Sequence, residues 1–411
     1  MPTGAFFITA PPSPSPALAD TDPAAGNARV LLAIPAVYFL FVGGEFAAMT
    51  YMTLTLTERG ASALSVGALA SALWLGIFAS STQAHHLVAR HGHARVFVAA
   101  TVLAFAALLT LPWHTAYAGW LCAAAVLGLG GGCVWVAGEA WLAEAAPKAR
   151  RGLYVGLFET SVGLGLMAGP AVVRASIELG WSPLWVSAAL MGLALASALP
   201  LLRARLPGQS DDLPAGHGLS AADPQAWRVV AVPLAAVAVA SGLMESGVSS
   251  LLPSISMRLG FDMATAALLG TVIGAGSALL QGPFGWLADR AGLSRAMALA
   301  WTVVIATLAL LLAGSRAPLD LLWGVGFVLA GVGGAVYTLV VIELGHRLSG
   351  AGLVRAMGLL VTAYTVGTTA GPALGGWLFD RTGLPGLSGA LLVIGGIGAA
   401  LTRRALRGPP R

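Results

Sequence analysis

From Met263 to Ala288, and again from Ala296 to Ser315, the chain carries no formal charge. An apolar run of about 20 residues is what an α-helix needs to cross the hydrocarbon core of a bilayer. Runs of this kind recur twelve times, at roughly 30–56, 62–84, 94–112, 116–143, 153–174, 184–202, 229–252, 264–284, 296–314, 319–345, 356–379 and 385–402. Only 9% of the residues are charged, against about a quarter in a soluble domain. The expected fold is an all-α integral membrane protein with twelve transmembrane helices.

The sparse charges are placed unevenly. With the N-terminus inside, seventeen of the 22 basic residues fall in inner segments, and Arg59, Arg174, Arg258, Arg316 and Arg381 remain outside. The positive-inside rule then puts both termini in the cytoplasm of a multi-pass cell (inner) membrane protein. A net charge of +5 is accounted for by this bias, and nucleic acid is not an expected partner. Residues 1–28, with PPSPSP and no base, lack the basic start and apolar middle of a secretory signal and read as a disordered cytoplasmic tail. Cys122 and Cys133 share one predicted helix, about 16 Å apart, too far for a disulfide.

The longest polar stretch, 203–228, is rich in Gly, Pro and Asp and reads as a cytoplasmic linker. It separates a six-helix bundle over 29–202 from a second over 229–402, followed by a basic tail at 403–411. The halves repeat. Glu45 and Glu245 stand 200 positions apart, GLGGG at 128 is echoed by GVGGA at 331, and Gly156, Gly165, Gly169 and Pro170 recur at an offset of 202 as Gly358, Gly367, Gly371 and Pro372. Two homologous helical halves are a transporter architecture.

Residues 285–295 read GWLADRAGLSR, three charges in a stretch flanked by none. Gly285, Leu287, Asp289, Arg290, Gly292 and Arg295 match G-x-L-x-D-R-x-G-x-x-R, and the chain thereby resembles the major facilitator superfamily, looking closest to its YcaD-type branch. The equivalent first-half loop, HHLVARHGHAR, keeps Arg90, Gly92 and Arg95 but has His85 and Ala89 where glycine and aspartate belong. Helix 11 resembles a second family pattern, G-x8-G-x3-G-P-x2-G-G, complete through Gly375 and Gly376; helix 5 ends it with Val173 and Arg174. The resemblance implies that Asp289 docks at the start of helix 5, near Gly152, as a cytoplasmic latch, where a carboxylate gains from the helix dipole. It also implies that helices 5 and 11 lie between the halves, and that helices 1, 4, 7 and 10 line a central cavity. The GP pattern in helix 5 is associated with antiport. The paired glycines, one turn apart, provide small faces for close helix contact, as do Gly270 and Gly274 in helix 8.

Each helix so assigned to the cavity carries a glutamate: Glu45, Glu139, Glu245 and Glu343. Ionisable groups within a span are costly and point to function. Glu45 and Glu245 sit near mid-span. Glu139 and Glu343 approach the cytoplasmic ends, where Arg150, Arg151, Arg347 or Arg355 are within reach as partners, and Glu159 in helix 5 is a fifth candidate. No base stands mid-span in a cavity helix, which disfavours anionic substrates and suits a proton, a cation or a neutral molecule. Trp135, Trp323 and Tyr337 offer aromatic surface for an apolar or cationic ligand, or simply face lipid and neighbouring helices. His85, His86, His91 and His93 read as a solvated loop rather than a metal site. There is no phosphate-cradling loop or catalytic triad, so neither enzymatic activity nor a cofactor is expected.

The expected function is secondary active transport of a small molecule, driven by a proton gradient and leaning towards efflux, by a monomer. An uptake symporter is the alternative in the same fold; a transport-inactive receptor is the alternative in another class.

Overall fold

A computed structural model describes residues 23–146, 151–203, 230–313, 318–347 and 350–406, with the side chains of 23–29, 143, 151–153, 155, 156, 159 and 350–354 outside that description. The linker at 203–228 and both tails therefore fall largely outside the described residues. Among those described, the secondary structure is helical throughout.

The helices of the first half are α1 (Pro23–Glu58), α2 (Ala63–His91), α3 (His93–Thr110), α4 (Tyr117–Ala145), α5 (Arg151–Glu178) and α6 (Pro183–Ala198). Those of the second are α7 (Val232–Arg258), α8 (Met263–Ala291), α9 (Leu293–Ala313), α10 (Leu319–Arg347) and a last helical run, Gly350–Leu406. That run is broken at Gly383, where φ is 66° and ψ is −167°, so it is two helices, α11 (350–382) and α12 (384–406). Eleven runs are long and apolar enough to cross a membrane, and the break in the last makes twelve spans. The first helix begins at Pro23, before the expected boundary; proline suits a first helical turn because its missing N–H would have had no partner there.

The twofold repeat is visible in the packing. Leu73 and Ile77 of α2 lie against Gly128 of α4, and Gly276 of α8 lies against Gly331 of α10. Two large apolar clusters form, one from the first half around Phe41, Phe97 and Trp141, the other from the second around Leu252, Trp301 and Leu329. A third, smaller cluster joins them: Ala47, Leu54 and Val173 meet Ala266 and Ala267.

This joint lies at one end of the molecule, the end bearing the turns 58–63 and 258–263. There Thr57 and Ser254 hydroxyls are 2.8 Å apart, Arg258 donates to the carbonyl of Ala61, and Asp380 accepts from the N–H groups of Ala63 and Leu64. Slightly deeper, Gly67 of α2 fits against Pro372 of α11, and Gly270 and Gly274 of α8 fit against Pro170, Leu166 and Met167 of α5. Helices α2 and α11, and α5 and α8, thus form the seam between halves. The paired glycines themselves turn the other way. Gly165 and Gly169 receive Val42, Gly43 and Ala47 of α1, and Gly367 and Gly371 receive Val239 and Leu243 of α7. They tighten each half internally, while the prolines beside them face the seam. Gly358 has open space around it, and the side-chain surroundings of Gly156 lie outside the described residues.

Candidate functional site

The sharp turns at the opposite end are built by glycines in a backbone conformation that side chains resist. Gly92 has φ 81° and Gly292 φ 91°, and their N–H groups close α2 and α8 onto Val88 and Ala288. This accounts for glycine at both positions of the charged loops. Gly285 has open space around it. Asp289 and Arg90 are exposed. Arg290 lies over the Trp286 ring, 4.8 Å from its centroid, and Arg295 reaches back to the carbonyl of Ala291 at 3.4 Å. The expected dock for Asp289, the start of helix 5, falls outside the described side chains.

Midway along the spans the two repeat-equivalent glutamates turn towards glycines of their own half. Glu45 on α1 presses its carboxylate on Gly131 of α4. It is 4% exposed, and its Oε1 has no hydrogen-bond partner among the described residues. Glu245 on α7 lies beside Gly333 and Gly334 of α10; a Cβ at Gly334 would stand 3.3 Å from Glu245 Oε1 and would also meet the Gln281 amide. The glycines of GLGGG and GVGGA therefore do more than allow close packing: they make room for a carboxylate. Glu245, half-buried, accepts a hydrogen bond of 2.8 Å from the Tyr364 hydroxyl. Neither acid forms an ion pair among the described residues.

Tyr364 is a site residue that sequence reasoning missed. It is an interior residue of an apolar helix that carries no mid-span acid, and its only sequence signal is a hydroxyl in that helix. Its ring packs on Tyr337 of α10, centroids 4.4 Å apart and planes inclined by 40°. The structure thus brings Tyr337, Tyr364 and Glu245 into one series within the second half.

The remaining candidates separate from this series. Glu343 forms an ion pair with Arg347 at 2.5 Å, and Arg347 also donates to the Leu406 carbonyl, so this acid is committed to the end of α10. Glu139, by contrast, has no ion pair among the described residues. Trp135 packs partly against the first-half core and Trp323 against the second; the indole N–H of Trp323 is buried without a partner among the described residues. The side chain of Glu159 lies outside the described residues. In the histidine loop, the His85 and His86 rings are 3.9 Å apart, and His93 is buried, 3.6 Å from Glu144. No group of three or more metal-ligating side chains occurs among the described residues.

Comparison with known proteins agrees with this architecture. The sequence model of the Major Facilitator Superfamily matches residues 36–264 and 234–411. An MFS-type transporter YcaD of Salmonella dublin, itself described as uncharacterized, is 24% identical over 334 residues, covering 81% of this chain and 84% of that protein. The Salmonella typhimurium YcaD matches to the same extent. Among solved structures, the nucleoside transporter NupG superposes with a TM-score of 0.74 at 12% identity, covering 92% of this chain and 99% of that one. A bacterial homolog of the human lysosomal transporter Spinster, in an inward-facing and occupied conformation, gives 0.72 at 16% identity, covering 92% and 97%.

Proposed function

This chain belongs to the major facilitator superfamily of membrane transporters, and we propose that it is a proton-coupled antiporter that exports small cationic or neutral apolar molecules. The observation that carries this reading is the pair Glu45 and Glu245. Both are carboxyls set mid-span against glycine, in equivalent places of the two halves, with no ion pair to either among the described residues. A charge in that setting is costly; a proton or a cationic ligand removes the cost. Competition between the two for a carboxylate makes loading of one drive release of the other.

The arginine asymmetry supports a cytoplasmic location for both termini in the cell membrane. In that orientation the joined end, with Asp380 and Arg258, is the outer one. Export then begins with substrate entering from inside. Protons enter from outside once the seam has opened there, and they leave to the cytoplasm after the return.

The test is flux in proteoliposomes under an imposed pH gradient, using a panel of radiolabelled amines and neutral aromatic compounds. Glu45→Gln and Glu245→Gln, singly and together, should abolish gradient-driven flux at one or both positions, while substrate-for-substrate exchange survives in at least one variant. Normal pH-driven transport in both single variants and in the double variant would overturn the proposal.

A further inference from the structure

We propose that Arg295 of α9 and Arg403 and Arg404 of α12 form a site for the phosphate headgroup of an anionic membrane lipid, on the membrane-facing surface of the second half. The inference stands apart from the transport reading, since it needs only that the chain spans a bilayer.

Two helices bring the three arginines together. The Trp301 ring of α9 packs where Gly398 of α12 leaves room for it, and its indole N–H donates to the Thr402 hydroxyl at 2.9 Å. From that joint α9 runs back to Arg295, six residues earlier, and α12 runs on to Arg403 and Arg404, directly after Thr402. The helices are antiparallel neighbours, so both directions lead to one end, that of the Gly292 turn and opposite Asp380. At 1.5 Å per residue, Arg295 and the pair are offset along the axes by about 6–8 Å, which two arginine side chains can span.

The three guanidinium groups are not committed to acids. All are exposed, and none forms an ion pair among the described residues. Arg295 donates to the Ala291 carbonyl of its own end at 3.4 Å. Asp289, in the charged stretch before α9, pairs with none of them. Glu343, whose helix reaches the end of α12 through the contact of Arg347 with the Leu406 carbonyl, is taken by Arg347 itself.

The surfaces leading up to these arginines are apolar. Leu299 and Leu310 of α9 and Val393 and Ile397 of α12 are exposed, and Arg295 and Arg404 continue their rows at helical spacing. An apolar wall that ends in guanidinium groups matches a molecule with a hydrocarbon chain and a phosphate. Guanidinium holds phosphate through parallel N–H groups, and basic pockets between spanning helices hold anionic headgroups. A zwitterionic headgroup brings a cation with its phosphate and gains less. In the orientation proposed above, the lipid belongs to the inner leaflet. Both helices are part of one half, so the lipid travels with that half.

The experiment titrates phosphatidylglycerol bearing a fluorescent acyl chain into the purified full-length protein, in neutral detergent at fixed salt. Unlabelled phosphatidylglycerol should displace the probe, phosphatidylcholine of the same chains should need about tenfold more, and glycerol phosphate should displace none. Arg295→Gln, Arg403→Gln and Arg404→Gln should each weaken binding about fivefold, and the triple variant about a hundredfold. Arg90→Gln, which removes an exposed arginine at the same end of the first half, should stay within about twofold. Equal displacement by phosphatidylcholine, displacement by glycerol phosphate, or unchanged affinity in the folded triple variant would overturn the inference. So would an equal loss in Arg90→Gln, which would reduce the effect to diffuse surface charge.

Discussion

Asp380, near the end of α11, accepts hydrogen bonds from the N–H groups of Ala63 at 2.9 Å and Leu64 at 2.8 Å, and so caps the first turn of α2 in the opposite half. Free N–H groups and the positive end of the dipole make a helix start a natural seat for a carboxylate. Its repeat counterpart, Glu178, is engaged with Arg174 of its own helix at 2.7 Å, and Arg174 stands where the second half has Gly376. The clamp is consequently one-sided, second half onto first, with Arg258 and Ala61 adding to it.

Asp380→Ala should loosen the joined end and shift the population towards its open form. Two charge-assisted hydrogen bonds at an exposed site contribute about 1–2 kcal/mol, a shift of roughly tenfold. Spin labels at Trp113 and Leu259, both exposed near this end, should report a longer and broader distance. An unchanged distribution would reduce the contact to a helix cap without a role in gating.

Gly376→Leu should act in the same direction and more strongly. A Cβ at Gly376 runs into the carbonyl of Ala63, and neither backbone can yield without separating α2 from α11. The same spin-label pair measures the effect, and Gly376→Ala should fall between wild type and leucine. Wild-type distances in the leucine variant would show that the helices do not meet there.

The cap of α8 gives an expectation about acid. Hydrogen bonding from the Thr265 N–H holds the exposed Asp262 carboxyl below the usual carboxylate range. A carboxyl lowered on folding stabilises above its unfolded pKa, near 4, and that contribution fades as pH falls through the folded value. Asp262→Ala should therefore cost about 1 kcal/mol at neutral pH and little in strong acid. Ser62→Ala, at the equivalent cap where Ser62 accepts from Ser65, should show no such dependence. Thermal melts across pH compare the two.

Topology is open to direct labelling. In a background with Cys122 and Cys133, the two free cysteines, replaced by alanine, Ser62→Cys should react with an impermeant thiol reagent from outside intact cells. Ser294→Cys should react only after permeabilisation. The reverse pattern would invert the orientation read from the arginines.

Much of this molecule was legible in the chain itself. Span lengths follow from uncharged runs, because a bilayer sorts residues by hydrophobicity over a fixed thickness. The repeat showed in Glu45 and Glu245 and in the glycines against which they rest. Gly92 and Gly292 stood out in the sequence as shared members of the loop pattern, and the structure gives the reason, since only glycine takes up their backbone conformation without strain. That Arg347 takes Glu343 was among the readings of the sequence, since the two are one helical turn apart.

What the sequence left undecided was the rotation of each helix and the neighbour it meets. Spans that are apolar on every side carry no polar stripe to point them, since lipid and protein interior are equally apolar. Gly165 and Gly367 were thus assignable to a close contact but not to α1 and α7. Tyr364 reaches Glu245 across 119 positions, and Asp380 reaches Ala63 across 317; no local pattern encodes either. The sequence by itself determined the spans, their symmetry and which of them carry acids. Tertiary packing alone decided that the Tyr364 hydroxyl comes within hydrogen-bond distance of Glu245 while Glu45 Oε1 stays without a partner among the described residues, because that depends on which side chains close packing brings together.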